Sequence, residues 1–117
     1  MLVGQPMALW GDGSATKDYL YVADLVAAVA ELMAAGFDNE IYNIGSGEGR
    51  SLRDIIAALT QELGLAARAE HQFISISDVR HIVLATAKTS ARTGGRSRMG
   101  FGASLRATRE WMETVIV

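Results

Sequence analysis

The stretch that decides the fold lies near the start of the chain and reads Trp10-Gly-Asp-Gly-Ser-Ala-Thr-Lys-Asp-Tyr-Leu-Tyr-Val-Ala-Asp-Leu25. Just before it, Met7–Trp10 is predicted to be a short strand, ended by the turn-forming residues 11–14. The β-favouring residues 19–22 predict a second extended piece. A helix is predicted over residues 24–35, because its apolar residues recur at i, i+4, i+7 and i+8 and so form one stripe.

The rest of the chain continues this alternation of short strands and helices. A third strand is predicted over residues 41–44, followed by the glycine-rich turn 45–49. Ser51 and Asp54 form a capping-box-like pair, so a helix is predicted to start at Ser51 and end at Gly64. Extended pieces are predicted over 69–76 and 82–84, a basic stretch that tolerates a helix runs over 87–92, and a last helix is predicted over about 103–115. This order of elements predicts an α/β fold.

The bulk composition is that of one globular domain. The chain has 117 residues, of which 50% are hydrophobic and 21% are charged. The absence of cysteine excludes disulfides and thiolate metal sites. No apolar run approaches the ~20 residues of a membrane span, and the first residues lack the basic and apolar segments of a signal peptide. We expect a cytoplasmic protein.

Charge is unevenly distributed along the chain. Residues 1–79 carry four basic and eleven acidic side chains, a net charge of −7, whereas residues 80–117 carry seven basic and two acidic ones, a net charge of +5. One interpretation is a basic face that meets the acidic part of the same fold or a partner. The alternative is a surface for nucleic acid or another polyanion. The first is favoured, since no aromatic residues interleave with the arginines.

Four catalytic or cofactor patterns are disfavoured by the residues present. The turn 45–49 invites a dinucleotide-binding interpretation, but the third glycine that the fingerprint requires is replaced by Arg50. None of the tyrosines Tyr19, Tyr21 and Tyr42 has a lysine four residues later, so the chain has no Tyr-x-x-x-Lys pair. The two histidines, ten residues apart on predicted strands, are a weak candidate for metal ligation, and Ser51 is better explained as a helix cap.

Several short segments, in order and at matching spacing, carry a family resemblance. They are Gly11-Asp-Gly-Ser14, Lys17-Asp-Tyr-Leu-Tyr-Val22, Asp24-Leu25, Tyr42-Asn-Ile-Gly-Ser-Gly47, Asp78-Val-Arg-His81 with Ala87-Lys88, and Thr108-Arg-Glu-Trp111. Together they resemble the back part of NAD-dependent nucleotide-sugar epimerases and dehydratases, UDP-glucose 4-epimerase-like enzymes of the extended short-chain dehydrogenase/reductase group. The resemblance implies one domain over residues 1–117, the C-terminal substrate-binding part of that fold without most of its Rossmann sheet.

The resemblance also implies a set of substrate-binding residues. Ala8 and Trp10 correspond to residues that lie against the nucleotide base, where a flat indole can stack. Lys17 takes the place of an arginine that holds the diphosphate, and Tyr19 lies near the same pocket. Asp78 corresponds to the acid that accepts hydrogen bonds from the ribose hydroxyls. Without the resemblance, a core Trp10 and a solvated or capping Asp78 are the preferred interpretations.

Two departures from the family pattern concern the phosphates. Lysine at position 17 cannot make the two-pronged contact of an arginine, and the second arginine expected three residues before Asp78 is Ser75. Losing one charge-assisted contact costs about 1.5–3 kcal/mol, or roughly ten- to a hundredfold in affinity. These changes indicate relaxed or altered function.

The resemblance has consequences for activity and assembly. We expect nucleotide-sugar binding without turnover in isolation, because the intact family needs NAD and a base, and this chain supplies no catalytic residue and no cofactor site. If the helix over 24–35 lacks the sheet on which the family packs it, its apolar stripe is uncovered and the strand 41–44 has an open edge. We therefore expect a homo-oligomer or a separate NAD-binding chain as partner. The alternatives are an assembly module without ligand binding and, more remotely, a polyanion binder.

Overall fold

A computed structural model describes residues 6–36, 39–64, 69–72, 79–94 and 99–115. Strands and helices alternate along the chain, as the sequence predicts. In chain order the elements are β1 (Met7–Trp10), β2 (Thr16–Asp18), α1 (Val22–Ala35), β3 (Gly49–Ser51), α2 (Leu52–Leu63), β4 (Ala69–Gln72), α3 (Ala87–Thr93) and α4 (Phe101–Val115).

The described strands form two small sheets of different kinds. β1 and β4 pair in parallel, with Met7 opposite Ala69. β2 and β3 pair antiparallel, with Lys17 opposite Arg50. Thr16 also bonds on its other side to a later segment, donating its N–H to the Arg80 carbonyl at 2.8 Å and accepting from the Ile82 N–H at 2.9 Å. β2 is thereby held between two parts of the chain that are distant in sequence.

The start of α2 confirms the predicted capping box. The Ser51 hydroxyl accepts a hydrogen bond from the Asp54 N–H at 3.1 Å, and the Asp54 carboxylate accepts one from the Ser51 N–H at 2.8 Å. Both donors would otherwise lack an intrahelical partner. At the other end, Gly64 adopts the left-handed conformation, with φ of 63°, that commonly follows a helix.

Of the predicted extended piece over residues 19–22, Tyr21 is extended, with φ of −70° and ψ of 136°, but Val22 is helical and none of the four residues belongs to a strand. The strand is Thr16–Asp18, since its ladder partner β3 reaches only from Gly49 to Ser51. The helix then begins at Val22, two residues earlier than predicted, because the Leu25 N–H already bonds to the Tyr21 carbonyl at 3.1 Å. α4 likewise begins two residues earlier than predicted, at Phe101.

Residues 41–44, predicted as a strand, are not paired with any strand in the described part of the chain. Side chains take the place of a ladder partner. Lys88 Nζ donates to the Ile41 carbonyl at 2.9 Å, and Thr89 Oγ1 donates to the Asn43 carbonyl at 2.6 Å. The segment predicted over 82–84 also lacks a strand assignment. Of the segment predicted over 69–76, β4 forms the first four residues, and 73–76 lie outside the described residues.

The core of the described residues is small. α1 packs on α3 and α2 packs on α4, and the buried large apolar side chains are Leu9, 2% exposed, and Leu32, 7% exposed. Gly13 closes over Leu9: its φ is +74°, and a Cβ there would lie 2.9 Å from Leu9 Cδ2. A side chain at this turn is therefore excluded both by backbone conformation and by the core beneath it.

The apolar stripe that the sequence predicts to be uncovered on α1 consists of Leu25, Val29, Leu32 and Met33. Three of the four are exposed, but the prediction is wrong for Leu32, which is buried. The exposed apolar side chains of the helix range from 39% to 64% exposed and are Val22, Leu25, Val26, Val29 and Met33. Ile41 is 85% exposed. We call these five helical side chains the open face of α1.

Candidate functional site

The carboxylate of Asp18, at the end of β2, joins three segments of the chain. Its Oδ1 accepts from the Ser46 N–H at 2.8 Å and the Ser46 hydroxyl at 2.5 Å. Its Oδ2 accepts from the Gly47 N–H at 3.0 Å and the Leu84 N–H at 3.2 Å. We call this arrangement the Asp18 network, and it fixes β2 against the glycine turn and the segment before α3.

The electrostatics of the network favour an ionised carboxylate. Partial burial alone raises the pKa of Asp18, but the hydrogen bonds from Ser46, Gly47 and Leu84 outweigh it, and the net pKa lies below its ordinary value. Because the Ser46 and Gly47 N–H groups already bond to Asp18, they are not presented to a pyrophosphate. The donor set of this turn therefore does not fit a dinucleotide, which agrees with the interpretation from the sequence.

Trp10 and Ala8 lie on β1, and both are exposed, Trp10 by 63%. The core interpretation of Trp10 is thus wrong. The turn after Trp10 is fixed locally, since the Asp12 carboxylate accepts from the Ser14 N–H at 2.9 Å and Arg53 Nε donates to the Asp12 carbonyl at 2.8 Å. The indole therefore stands exposed at the end of a strand, beside a turn that these two hydrogen bonds hold.

Lys17 and Tyr19 lie on and just after β2. Lys17 Nζ donates to the Val79 carbonyl at 2.8 Å. The Tyr19 ring meets the Phe101 ring edge-on, with centroids 6.5 Å apart. The guanidinium of Arg50 lies over the same Phe101 ring at 4.5 Å. We call Tyr19, Arg50 and Phe101 the Arg50 cluster.

Three cavities lie near these elements. One of about 130 Å³ is lined by Tyr19, Arg50 and Phe101 among others. An apolar one of about 620 Å³ continues from Tyr19 along α4 to Trp111. A third of about 640 Å³ lies between α1, the glycine turn and α3. Of the predicted site residues, Tyr19 lines the first two.

The predicted substrate residues are thus only partly brought together. Ala8, Trp10 and Lys17 are not among the residues that line these three cavities. Asp78, together with Ser75, lies outside the described residues. Their substrate-binding roles stay predictions.

Sequence reasoning missed the role of Asp18 in joining three segments and the contact between Arg50 and Phe101. Asp18 is within the motif that decides the fold, but its role depends on Ser46 and Leu84, which are distant in sequence. In the sequence, Arg50 is notable only because it occupies the position of the third glycine in the dinucleotide-binding fingerprint. The feature that could have drawn attention to Arg50 is its pairing with Lys17 across β2 and β3. That pairing can be recognised only when the register of the two strands is known.

The basic residues of the second half of the chain largely meet groups of the same fold. Lys88 pairs with Glu40 at 2.6 Å, and Arg106 pairs with Glu62. Arg92 donates to the Ala35 and Gly36 carbonyls at the end of α1, where a positive charge suits the helix terminus. Arg96 and Arg98 lie outside the described residues. These contacts favour the interpretation of a basic face that meets the acidic part of the same fold.

In the described ranges, no group of three or more His, Asp or Glu side chains is arranged to hold a metal ion. His71 Nδ1 instead lies 3.0 Å from the Gly11 carbonyl. None of the described helices has the length and apolar character needed to cross a membrane.

Comparison with known proteins identifies relatives for this geometry. The sequence profile of the NAD-dependent epimerase/dehydratase family matches residues 1–45. A protein of Methanocaldococcus jannaschii with the provisional name UDP-glucose 4-epimerase is 30% identical over 113 residues, which are 97% of this chain and 36% of that protein. The chain therefore spans little more than a third of that relative.

Solved structures agree with the sequence match. A UDP-glucose 4-epimerase from Thermotoga maritima, solved with UDP-glucose, is 28% identical and superposes with a TM-score of 0.90, covering 100% of this chain and 38% of its own. The UDP-glucose 4-epimerase of Thermus thermophilus, solved with NAD, is 31% identical with a TM-score of 0.82, covering 96% of this chain and 37% of its own. The prediction of an α/β part of an extended short-chain dehydrogenase/reductase fold is confirmed.

Proposed function

This chain is related to the NAD-dependent epimerases and dehydratases of nucleotide sugars, and we propose that it is the nucleotide-sugar-binding part of such an enzyme. The observation that carries the proposal is the superposition of the whole chain, at a TM-score of 0.90, on an epimerase solved with UDP-glucose. The proposal concerns binding, since the sequence holds neither the Tyr-x-x-x-Lys pair nor a fitting glycine loop. Hydride chemistry belongs to NAD and a base, neither of which these residues provide.

The exposed indole of Trp10 supports a role in holding the base. A planar ring at the end of β1, 63% exposed and next to a turn fixed by Asp12, can stack on a pyrimidine at little conformational cost. Lys17 supplies one positive charge for the diphosphate. Its ammonium is a point charge without the fork of an arginine, so binding weaker than that of an arginine-bearing relative is expected.

The chain has two tryptophans, Trp10 and Trp111, so a ligand titration can replace each one in turn and use the second as the control. UDP-glucose is titrated into the wild-type protein and into Trp10→Phe and Trp111→Phe, with intrinsic fluorescence and calorimetry as readouts. We expect ligand-dependent quenching in wild type and in Trp111→Phe, and its loss in Trp10→Phe, because the proposal places the base against Trp10 and assigns no ligand contact to Trp111. Absence of calorimetric binding by the wild type at millimolar UDP-glucose would refute the proposal.

The same proposal predicts no turnover by this chain alone. Incubation with UDP-glucose and NAD is expected to leave the sugar unchanged, with chromatographic separation of UDP-glucose and UDP-galactose as the readout. Conversion above the background of a buffer control would contradict the assignment as a binding part.

A second candidate, a homo-oligomeric assembly module, is favoured by the open face of α1. Five apolar side chains at helical spacing, each at least 39% exposed, form a stripe that a second copy or a separate NAD-binding chain can cover. Sedimentation at micromolar concentration tests it: a concentration-dependent dimer supports this candidate, and a monomer at every concentration removes the homo-oligomer.

A further inference from the structure

Arg53, the second residue of α2, makes two hydrogen bonds to the turn that follows Trp10. Its Nε donates to the Asp12 carbonyl at 2.8 Å, and its backbone N–H donates to the Gly13 carbonyl at 3.2 Å. A backbone N–H at this point of a helix has no acceptor within the helix itself, so the Gly13 carbonyl satisfies it. The turn and the start of α2 therefore hold each other in place.

The stem of the Arg53 side chain packs on the same turn. A Cβ at Gly13 would lie 3.2 Å from Arg53 Cγ, so the stem passes close over the glycine. The side chain is 63% exposed, and its Nη2 lies 4.0 Å from Asp12 Oδ2, an ion pair so long and so open to solvent that it contributes little. The hydrogen bond from Nε, and not the positive charge, is therefore the polar side-chain contact that fastens the turn.

Trp10 is the last residue of β1, and its backbone leads directly into this turn. The Gly11 N–H donates to the Gln72 carbonyl at 3.1 Å, and the Gly11 carbonyl lies 3.0 Å from Nδ1 of His71. In the described sheet, β1 has four residues and pairs with β4, and so short a two-stranded sheet is marginal by itself. Because Trp10 is 63% exposed, the direction of its ring depends mainly on the backbone at the end of β1, which the turn anchors.

We propose that Arg53 is a positioning residue for Trp10. It holds the turn, and through the turn the end of β1, so that the indole keeps a narrow range of orientations without any contact between Arg53 and the ligand. This inference rests on the proposed function, in which the indole stacks on the nucleotide base. A ring that is already ordered loses less conformational freedom when the base binds, so its affinity is higher than that of a mobile ring.

Two replacements of Arg53 separate the hydrogen bond from the charge. Glutamine carries an N–H donor, and methionine a methyl group, at the same number of bonds from Cα as Nε of arginine. Both lack the charge, and both favour helices about as well as arginine does. Arg106→Met is the matched control, since Arg106 pairs with Glu62 and links α4 to α2 rather than to the turn.

All the proteins compared carry Trp111→Phe, so that Trp10 is their only tryptophan, and the protein with this change alone is the parent. Time-resolved fluorescence anisotropy without ligand measures the motion of the indole, and calorimetry measures binding of UDP-glucose. We expect Arg53→Met to show a larger fast component of depolarisation and about three- to tenfold weaker binding. Arg53→Gln and Arg106→Met should match the parent in both measurements. Circular dichroism and urea midpoints report the fold of each variant.

The anisotropy decides the role of Arg53 whether or not the chain binds UDP-glucose. Depolarisation in Arg53→Met equal to that of the parent, or raised equally in Arg53→Gln or Arg106→Met, would overturn the inference. Loss of folding in Arg53→Met would overturn it as well, because the role is then structural, and so would unchanged affinity beside a mobile indole. If the parent does not bind UDP-glucose but Arg53→Met and Arg53→Gln differ in depolarisation as expected, the ordering of Trp10 by Arg53 stands and the proposed function is lost.

Discussion

The Asp18 network and the open face of α1 are adjacent in sequence but opposite in physical character. Around Asp18, one carboxylate accepts four hydrogen bonds and joins three segments, so this region is satisfied by the chain itself. On α1, five apolar side chains from Val22 to Met33 are left exposed. The comparison shows that the polar contacts specify the shape of the site, whereas the apolar surface of α1 is left exposed by the described residues.

Removing the carboxylate at Asp18 is expected to have the largest effect on stability. Asp18→Ala leaves the Ser46, Gly47 and Leu84 N–H groups without their acceptor, and we expect a loss of about 3 kcal/mol in the free energy of unfolding. Urea denaturation measures it. Asp12→Ala is the matched control, because that carboxylate is exposed and its partners among the described residues are Ser14 in its own turn and Arg53. An equal loss in both variants would show that the network does not hold the segments together.

Acid is expected to weaken the same network. The folded pKa of Asp18 lies below its ordinary value of 3.8, so ionised Asp18 stabilises the fold fully above that pH. The stabilisation is lost as pH falls through the lower folded value. The difference in unfolding free energy between wild type and Asp18→Asn should therefore be constant from about pH 7 to about pH 5 and narrow in stronger acid. A gap that stays the same down to about pH 3 would argue against this linkage.

Removing the N-terminal cap of α2 is expected to lower the free energy of unfolding less than removing the Asp18 carboxylate. Ser51→Ala removes the hydroxyl that accepts from the Asp54 N–H, and a loss of about 1 kcal/mol is expected. Ser51→Asn should retain most of the stability, since asparagine is also a good cap. Equal midpoints for wild type and Ser51→Ala in urea would show that the cap is dispensable.

A charge on the open face of α1 should change stability least and association most. Val26 is 62% exposed, so Val26→Glu is expected to alter the free energy of unfolding by less than about 0.5 kcal/mol. If a second copy covers this face, the same change abolishes the dimer in sedimentation. Ala57→Glu, at an exposed position of α2, is the control and should leave association intact. Dimers that persist in Val26→Glu would exclude this face as the interface.

Local chemistry made part of the fold predictable. Ser51 and Asp54 identified the start of α2, and β1 was predicted with its observed bounds. Gly64 identified the end of α2. In each case the decisive contacts lie within a few residues, so the sequence pattern contains them. That residues 1–117 form one substrate-binding domain stays a prediction.

The wrong strand predictions share one cause, which is that strand formation depends on pairing between residues distant in sequence. Residues 41–44 have the composition of a strand, yet Lys88 and Thr89 supply their partners. The β-favouring residues 19–22 do not form a strand. The strand is Thr16–Asp18 instead, because its position is set by pairing with β3. The contacts of Asp18 and Arg50 likewise depend on which segments meet, and local sequence patterns do not specify this.

The small core makes the fold sensitive to whatever binds it. With Leu9 and Leu32 as the buried large apolar side chains of the described residues, little hydrophobic free energy opposes unfolding. A ligand present at a hundred times its Kd adds about 2.7 kcal/mol, a large fraction of such a margin. The melting temperature should therefore act as a sensor of occupancy, rising with any genuine ligand even where the site chemistry gives no signal.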